Sequence, residues 1–504
     1  MRFIPFPLNL QLTVSFTNHK VVFCLFLGVS VALSSCQVAK VPASSPAISV
    51  PDSYVDRVNA NGPNPGMTDS LGIGDLPYRT LFTDDRLVAL IDTAVARNLD
   101  LKIAWQRIAV AQANYGISRG ALLPQVDAVA TTGVDRFGRY TLNGVGNFDT
   151  NLSDNVTGSS LIPNPTPDFF VGFRSNWEVD IWGKLQNRRN AAYKRVMASQ
   201  EGRHLLLTTL ISDVSRLYYT LLALDGELEI IRENVTLQQQ AVELVEVQKA
   251  AGRVTELAVQ QFRAQLLNTQ SLAGGVQQQI VDTENQLNVL LGRYPRPVPR
   301  GVSIRDQQLP PTLLAGIPAQ LLQRRPDIRQ AERELDAANI DVAVARAEFL
   351  PSLNLSPYLG LNAFRPDVLL NPQSVAAGIL GGLAAPVFNR RLLKGNLRIS
   401  QAQSQEAYYT YQRTVLTGVS EVTTSLKGLE NYRSVADLQT KEVAELRLAA
   451  TTSDDLFGTG YATYLEVITA QRSILQAELN LMNTKRAQFL SLVDLYRALG
   501  GGWN

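Results

Sequence analysis

A protein site does chemistry with a nucleophile, a proton-transfer group or a set of metal ligands, and this 504-residue sequence offers few of them. It has two histidines, His19 and His204, and two cysteines, Cys24 and Cys36. His204 lies between Arg203 and Leu205 in a helix-forming stretch. No G-x-S-x-G elbow accompanies it, so a Ser-His-Asp site lacks its other members and His204 reads as a surface or interhelical residue. There is no Walker motif, and no carboxylate–histidine cluster has metal-ligand spacing. The pattern points away from an enzyme, a cofactor and a resident metal. The charges are 47 basic against 45 acidic, and Arg2 and Lys20 are the only charged residues before Cys36. The remainder balances and holds no basic block, so nucleic acid is not an expected partner.

Cys36 is the residue with the clearest chemical assignment. Residues 21–33 (VVFCLFLGVSVAL) form an apolar core after Lys20 and before Ser34-Ser35-Cys36. That run is shorter than the roughly 20 residues a spanning helix needs and has the form of a signal-peptide core. Leu33-Ser34-Ser35-Cys36 resembles a lipobox, which makes residues 1–35 a signal peptide and Cys36 the lipidated, palmitate-bearing residue. The alternative is a secretory signal with an incidental cysteine. Gln37, rather than Asp, after the cysteine fits sorting to the outer membrane of a Gram-negative cell. Processing of this kind leaves no free thiol, hence no disulfide, thiolate metal site or cysteine nucleophile.

The rest of the chain is scaffold. Residues 36–80 are rich in Pro, Gly, Ser and Asn and read as an extended arm. Leu81 to Leu123 carries helical spacing (Leu87, Leu90, Ile91, Ala94, then Leu101, Ala104, Ile108). No proline falls between Pro167 and Pro295 or after Pro386, and both tracts are dense in Gln, Ala, Leu, Glu and Arg. Apolar positions such as Leu206, Leu210, Val214, Leu217 and Leu221 suggest coiled-coil packing. Ala251-Gly252-Arg253 interrupts the first tract and Gly458-Thr459-Gly460 the second, so each reads as a helical hairpin, about 184–292 and about 390–499. Four segments instead alternate with a period of two. In the one at about 169–180, Phe169, Val171, Phe173, Trp177 and Val179 face one way; Gly172, Arg174, Asn176, Glu178 and Asp180 face the other. That at about 352–363 alternates in the same way, and those at about 125–134 and 375–387 do so more weakly. Strands of about ten residues, apolar outside and polar inside, are the signature of a transmembrane β-barrel.

These parts occur twice. The stretch from Asn98 lies over that from Arg325 without a gap, pairing Asp100 with Asp327 and Leu123-Pro124 with Leu350-Pro351. Gly252 to Gly292 lies over Gly460 to Gly500, pairing Leu291-Gly292 with Leu499-Gly500. One copy spans 81–300 and the other 301–504, each with two strands and a hairpin. Four strands cannot close a barrel, and lipid does not tolerate open strand edges. The chain must therefore pool strands with copies of itself.

The doubled order of helix, Leu-Pro, strand, strand and proline-free hairpin resembles the TolC-like outer membrane factor family. Arg324-Arg325-Pro326-Asp327-Ile328, Pro386-Val387-Phe388 and the ending Leu495 to Trp503 resemble its NodT-like lipoprotein branch. The resemblance implies an α+β membrane protein: a homotrimer whose 12-stranded β-barrel continues as a long α-helical barrel. It implies a passive exit duct, lipid-anchored in the outer membrane and extending into the periplasm. Its implied partners are a periplasmic adaptor and an inner-membrane transporter of the resistance-nodulation-division type. It places Phe457, Gly460 and Glu466 on a constriction, where Glu466 with nearby Asp454 and Asp455 would form an acidic entrance ring. It also places the tips, Gly252 and Arg253 with Gly460 and Tyr461, against adaptor hairpins. Arg253 could pair with an acidic residue of the neighbouring hairpin. The copies differ here: Glu466 aligns with Ala258, and Thr469 stands where the family often has a second carboxylate. A type I protein-secretion channel is the alternative within this class, and a lipid-tethered coiled-coil scaffold the alternative outside it.

Overall fold

The computed structural model describes residues 73–309 and 320–503; the expected signal peptide, Cys36 and the arm up to residue 72 lie outside the described residues. Four antiparallel strands, β1 (Gln125–Asp135), β2 (Thr166–Val179), β3 (Ser352–Ala363) and β4 (Val375–Ala384), form one sheet in that order. The register explains the period of two. Phe173 lies opposite Ala128 and Leu359, and Leu359 opposite Ala377. Val171 likewise joins Ala130 and Leu361. Directly opposed residues share a face, so one face is largely apolar across all four strands. Among the described residues nothing covers it: Phe173 is 57% exposed and Ile379 71%. On the other face Arg174 lies opposite Asp127 and Tyr358, and Gly172 opposite Gly360.

Phe170 breaks the expected pattern, because it sits on the polar face and is nevertheless buried. Its ring meets Tyr358 edge-on at 6.1 Å, and the Arg174 guanidinium lies 4.4 Å from its centroid. The two facing glycines make the room. A Cβ on Gly360 would stand 2.7 Å from the Phe170 ring, and one on Gly172 only 2.4 Å from Gly360 Cα. The link between β1 and β2, rich in Gly, Asn and Asp, holds a ten-residue helix, α3 (Leu142–Asn151), capped by the Thr141 hydroxyl.

After a single helical turn at Tyr78–Leu81, two longer helices lead to β1: α1 (Asp85–Arg97), capped by Asp84, and α2 (Leu99–Gly120), capped by Asn98. The first hairpin is α4 (Lys184–Ala250) and α5 (Glu256–Leu290). After α6 (Pro326–Ala347), β3 and β4 comes the second, α7 (Arg390–Thr459) and α8 (Tyr464–Ala498). At 67 and 70 residues, α4 and α7 are about 100 Å long. Gly458 lies inside α7, so the second interruption is narrower than its glycines suggest.

The repeat is visible in how each copy closes on itself. Gly292 and Gly500 end α5 and α8 with φ of +61° and +78°. A Cβ on Gly292 would meet the Arg97 carbonyl oxygen at 2.7 Å, and one on Gly500 that of Arg324 at 2.9 Å. The main core lies at this level, where Leu87, Ile91, Val214, Tyr218, Leu287, Ile328, Val422 and Tyr496 are buried together. Arg325 is buried beside it and binds the Asp327 carboxylate through two nitrogens, Glu421 at 2.7 Å and the Ala498 carbonyl at 2.9 Å. His204 stacks on Trp503 of the C-terminal tail at 4.8 Å, with Nδ1 3.2 Å from Glu201 one turn earlier in its own helix, a packing role.

Candidate functional site: the hairpin tips

Both tips are built by the same backbone device. In the first, Gly252 adopts φ +70°; its N–H donates to Lys249 O and that of Arg253 to Gln248 O, both at 2.9 Å. In the second, Gly460 adopts φ +84°; its N–H donates to Phe457 O at 3.2 Å and that of Tyr461 to Leu456 O at 2.8 Å. These are Schellman closures, which need a left-handed residue after the helix. No atom lies within 4 Å of where a Cβ would stand on either glycine. Within the chain, then, the glycines serve the turn and not a close approach. Arg253 and Tyr461 stand in the open, Tyr461 at 86% exposure. A Lys249–Glu256 ion pair spans the first tip beside them, with the Arg263–Glu246 pair one turn below.

Phe457, expected at the constriction, is turned away from solvent. It is 7% exposed and joins Val245, Ala258, Val259, Phe262, Val467 and Ile468 in a small apolar knot. Its ring lies 6.5 Å from that of Phe262. All four long helices contribute, so the knot ties one hairpin tip to the other. It also explains the mismatch between the copies. Ala258 and Glu466 both lie three residues into a helix that follows a threonine cap, yet Ala258 faces the knot and Glu466 faces outward.

Glu466 has a local partner. Its Oε2 accepts from the Thr463 backbone N–H at 2.6 Å and from the Thr463 hydroxyl at 2.9 Å. These two bonds, the backbone one first, hold its carboxyl below the usual glutamate range. Thr463-Tyr464-Leu465-Glu466 is a capping-box pattern legible in the sequence. Asp454 behaves in the opposite way. Partial desolvation, aided by the charge of Asp455, raises its carboxyl above the aspartate range, against a weak 3.5 Å bond from Gln471. Glu466 and Asp454 therefore have separate environments, and Arg253 forms no ion pair among the described residues. No group of His, Cys, Asp and Glu among the described residues could hold a metal ion, and no described helix is long and apolar enough to cross a membrane.

Known proteins share this plan. CusC, a cation efflux system protein of Escherichia coli O6:H1, is 28% identical over 477 residues, covering 94% of this chain and 97% of its own. SrpC, a solvent efflux pump outer membrane protein of Pseudomonas putida, is 30% identical over 429 residues, covering 84% and 87%. The MtrE outer membrane channel of Neisseria gonorrhoeae, solved in its open state, has the same fold, with a TM-score of 0.78 at 23% identity over 92% of this chain and 98% of that one. The family model of the outer membrane efflux proteins matches residues 90–293 and 317–501, one stretch for each copy of the repeat. The chain belongs to the outer membrane efflux protein family.

Proposed function

We propose that three copies of this chain close into one exit duct, a 12-stranded barrel in the outer membrane continued by a helical tunnel in the periplasm. The observation that carries this reading is the open sheet, with an apolar face across every strand and unpaired edges on β1 and β4. Such edges have no water to bond in lipid, so only pooling with other copies satisfies them. Signal residues 1–35 are removed, Cys36 carries the lipid, and residues 36–80 form the arm ahead of the two copies, 81–300 and 301–504. The tips receive a periplasmic adaptor, and a resistance-nodulation-division transporter in the inner membrane supplies the energy. The chain itself is no enzyme; it gives small molecules a path. Relatives named for cations and for solvents support a duct that leaves the choice of cargo to its transporter.

At the entrance, Asp454, Asp455 and Glu466 give the acidic lining, and Arg253 and Tyr461 the exposed contacts. Phe457 acts there indirectly, by tying the hairpins together. Single-channel recording of purified protein in planar bilayers tests the duct. Conductance is expected, and its absence even with Arg253, Asp454 and Glu466 neutralised refutes the reading. Glu466→Gln in a salt gradient separates lining from capping: a changed reversal potential marks a carboxylate that ions meet, an unchanged one a cap alone.

A further inference from the structure

At the foot of the sheet the chain passes from β4 into α7, and the surface changes character. Val387 and Phe388 stand in the open, Phe388 at 99% exposure. Arg390, Arg391, Lys394 and Arg398 follow, all exposed. At helical spacing they share one face about 100° wide. None of the four forms an ion pair among the described residues, and the first turn of α7 has no acidic residue. Uncompensated cations at a helix start oppose the macrodipole, which favours anions there.

The equivalent junction in the first copy shows what compensation looks like. Trp182 donates its indole N–H to Pro351 O at 2.6 Å. Lys184 pairs with Glu178 at 2.5 Å, and Arg188 with Glu348 at 3.4 Å. The second junction has the aromatic and the cations without the internal partners. Its place adds the chemistry of a partner, because the apolar sheet face runs down to Val179, Leu353 and Leu383 immediately above it. Followed down α7, the cationic side reaches Glu430 and Asp437, which lie beside Gln307 to Leu309 of the connector that joins α5 to α6. A connector on the inner side would fill the duct, so this side is the outer one; that step rests on the duct reading.

We propose that the β4–α7 junction binds anionic phospholipid headgroups of the inner leaflet. Phe388 and Val387 seat at the headgroup–acyl boundary, where aromatic side chains of membrane barrels collect. Arg390, Arg391, Lys394 and Arg398 take the phosphates, which suit the guanidinium fork. Each cation near an anionic surface contributes about a fivefold preference at moderate salt.

The test uses full-length protein reconstituted with phosphatidylcholine alone or mixed with phosphatidylglycerol, then extracted, with retained lipid counted by native mass spectrometry. The native protein should retain phosphatidylglycerol selectively. Combined Arg390→Gln, Arg391→Gln and Lys394→Gln should lower that selectivity about fivefold per cation removed, while Arg390→Lys with Arg391→Lys preserves most of it. Arg398→Gln, a turn deeper in α7, should lower it about fivefold without touching the junction turn. Equal retention of the two lipids by the native protein, or unchanged selectivity in the glutamine variants, overturns the proposal. A shifted reversal potential with unchanged retention also overturns it, by placing the cations in the lumen. Conductance measured on the same samples decides the duct reading separately.

Discussion

Replacing Phe457 by alanine asks what the apolar knot does for the entrance. The side chain is 7% exposed and packs against Phe262, Ala258, Val467 and Ile468 across two hairpins. Removing a buried phenylalanine ring costs about 3–5 kcal/mol. The knot is small and lies at the free end of long helices, so it can partly collapse around the gap, and the lower end, about 3 kcal/mol, applies. That free energy belongs to local opening, because the main core around Val214 and Tyr218 shares no residue with the knot. Opening of the tips should therefore become about two orders of magnitude more frequent. Hydrogen exchange read by mass spectrometry should show it in peptides covering 245–262 and 456–468, with peptides over 214–224 unchanged. Phe457→Leu, which keeps most of the volume, should lose about 1 kcal/mol. Exchange that stays slow at the tips, or that quickens equally in the core, would refute the idea of a tie between hairpins.

Gly172→Ala should weaken the sheet and reduce the heat resistance of the assembled protein, since its Cβ would stand 2.4 Å from the Gly360 backbone; Gly382→Ala, with nothing within 4 Å, should be neutral on the same gel. Arg325→Met should cost about 3 kcal/mol by leaving Asp327 without its guanidinium and Glu421 with Arg497 alone, seen as a lower denaturation midpoint, and Arg325→Lys should recover only part because lysine cannot fork. Glu227 is buried with Oε1 unpartnered, and burial raises its carboxyl above the glutamate range. The folded chain thus binds this proton more tightly than the unfolded chain, so the charge destabilises at neutral pH and the penalty fades as pH falls through the raised folded value. Glu227→Gln should raise the melting temperature at neutral pH and give no gain below the ordinary carboxylate range; a gain independent of pH would contradict this.

Much of the architecture was legible because its signals are long. Proline-free tracts far longer than a globular helix, and strands with a period of two, leave few other folds, and the duplication checks each reading against the other copy. Short-range features were harder. Helix α3 lies in a stretch of Gly, Asn and Asp whose propensity argues for loop, and is fixed instead by the Thr141 cap and by Asn151, which exchanges bonds with Ile162. Phe170 could not be placed by alternation, because its burial depends on Gly360 of a partner strand far away in sequence. At the tips, the turns followed from Gly252 and Gly460. The burial of Phe457 did not, since the knot depends on how two hairpins lean together. The capping role of Glu466 was written plainly in Thr463-x-x-Glu466 and is local enough to be read without a fold.

The open sheet has a consequence at the level of inheritance. A chain that owns only a share of its barrel cannot keep its defects to itself. A copy whose β1 or β4 edge fails to pair will spoil the tubes it enters, together with the sound copies inside them. Edge mutations should therefore behave as dominant when two alleles are expressed together, whereas mutations that prevent a chain from being made at all should be recessive.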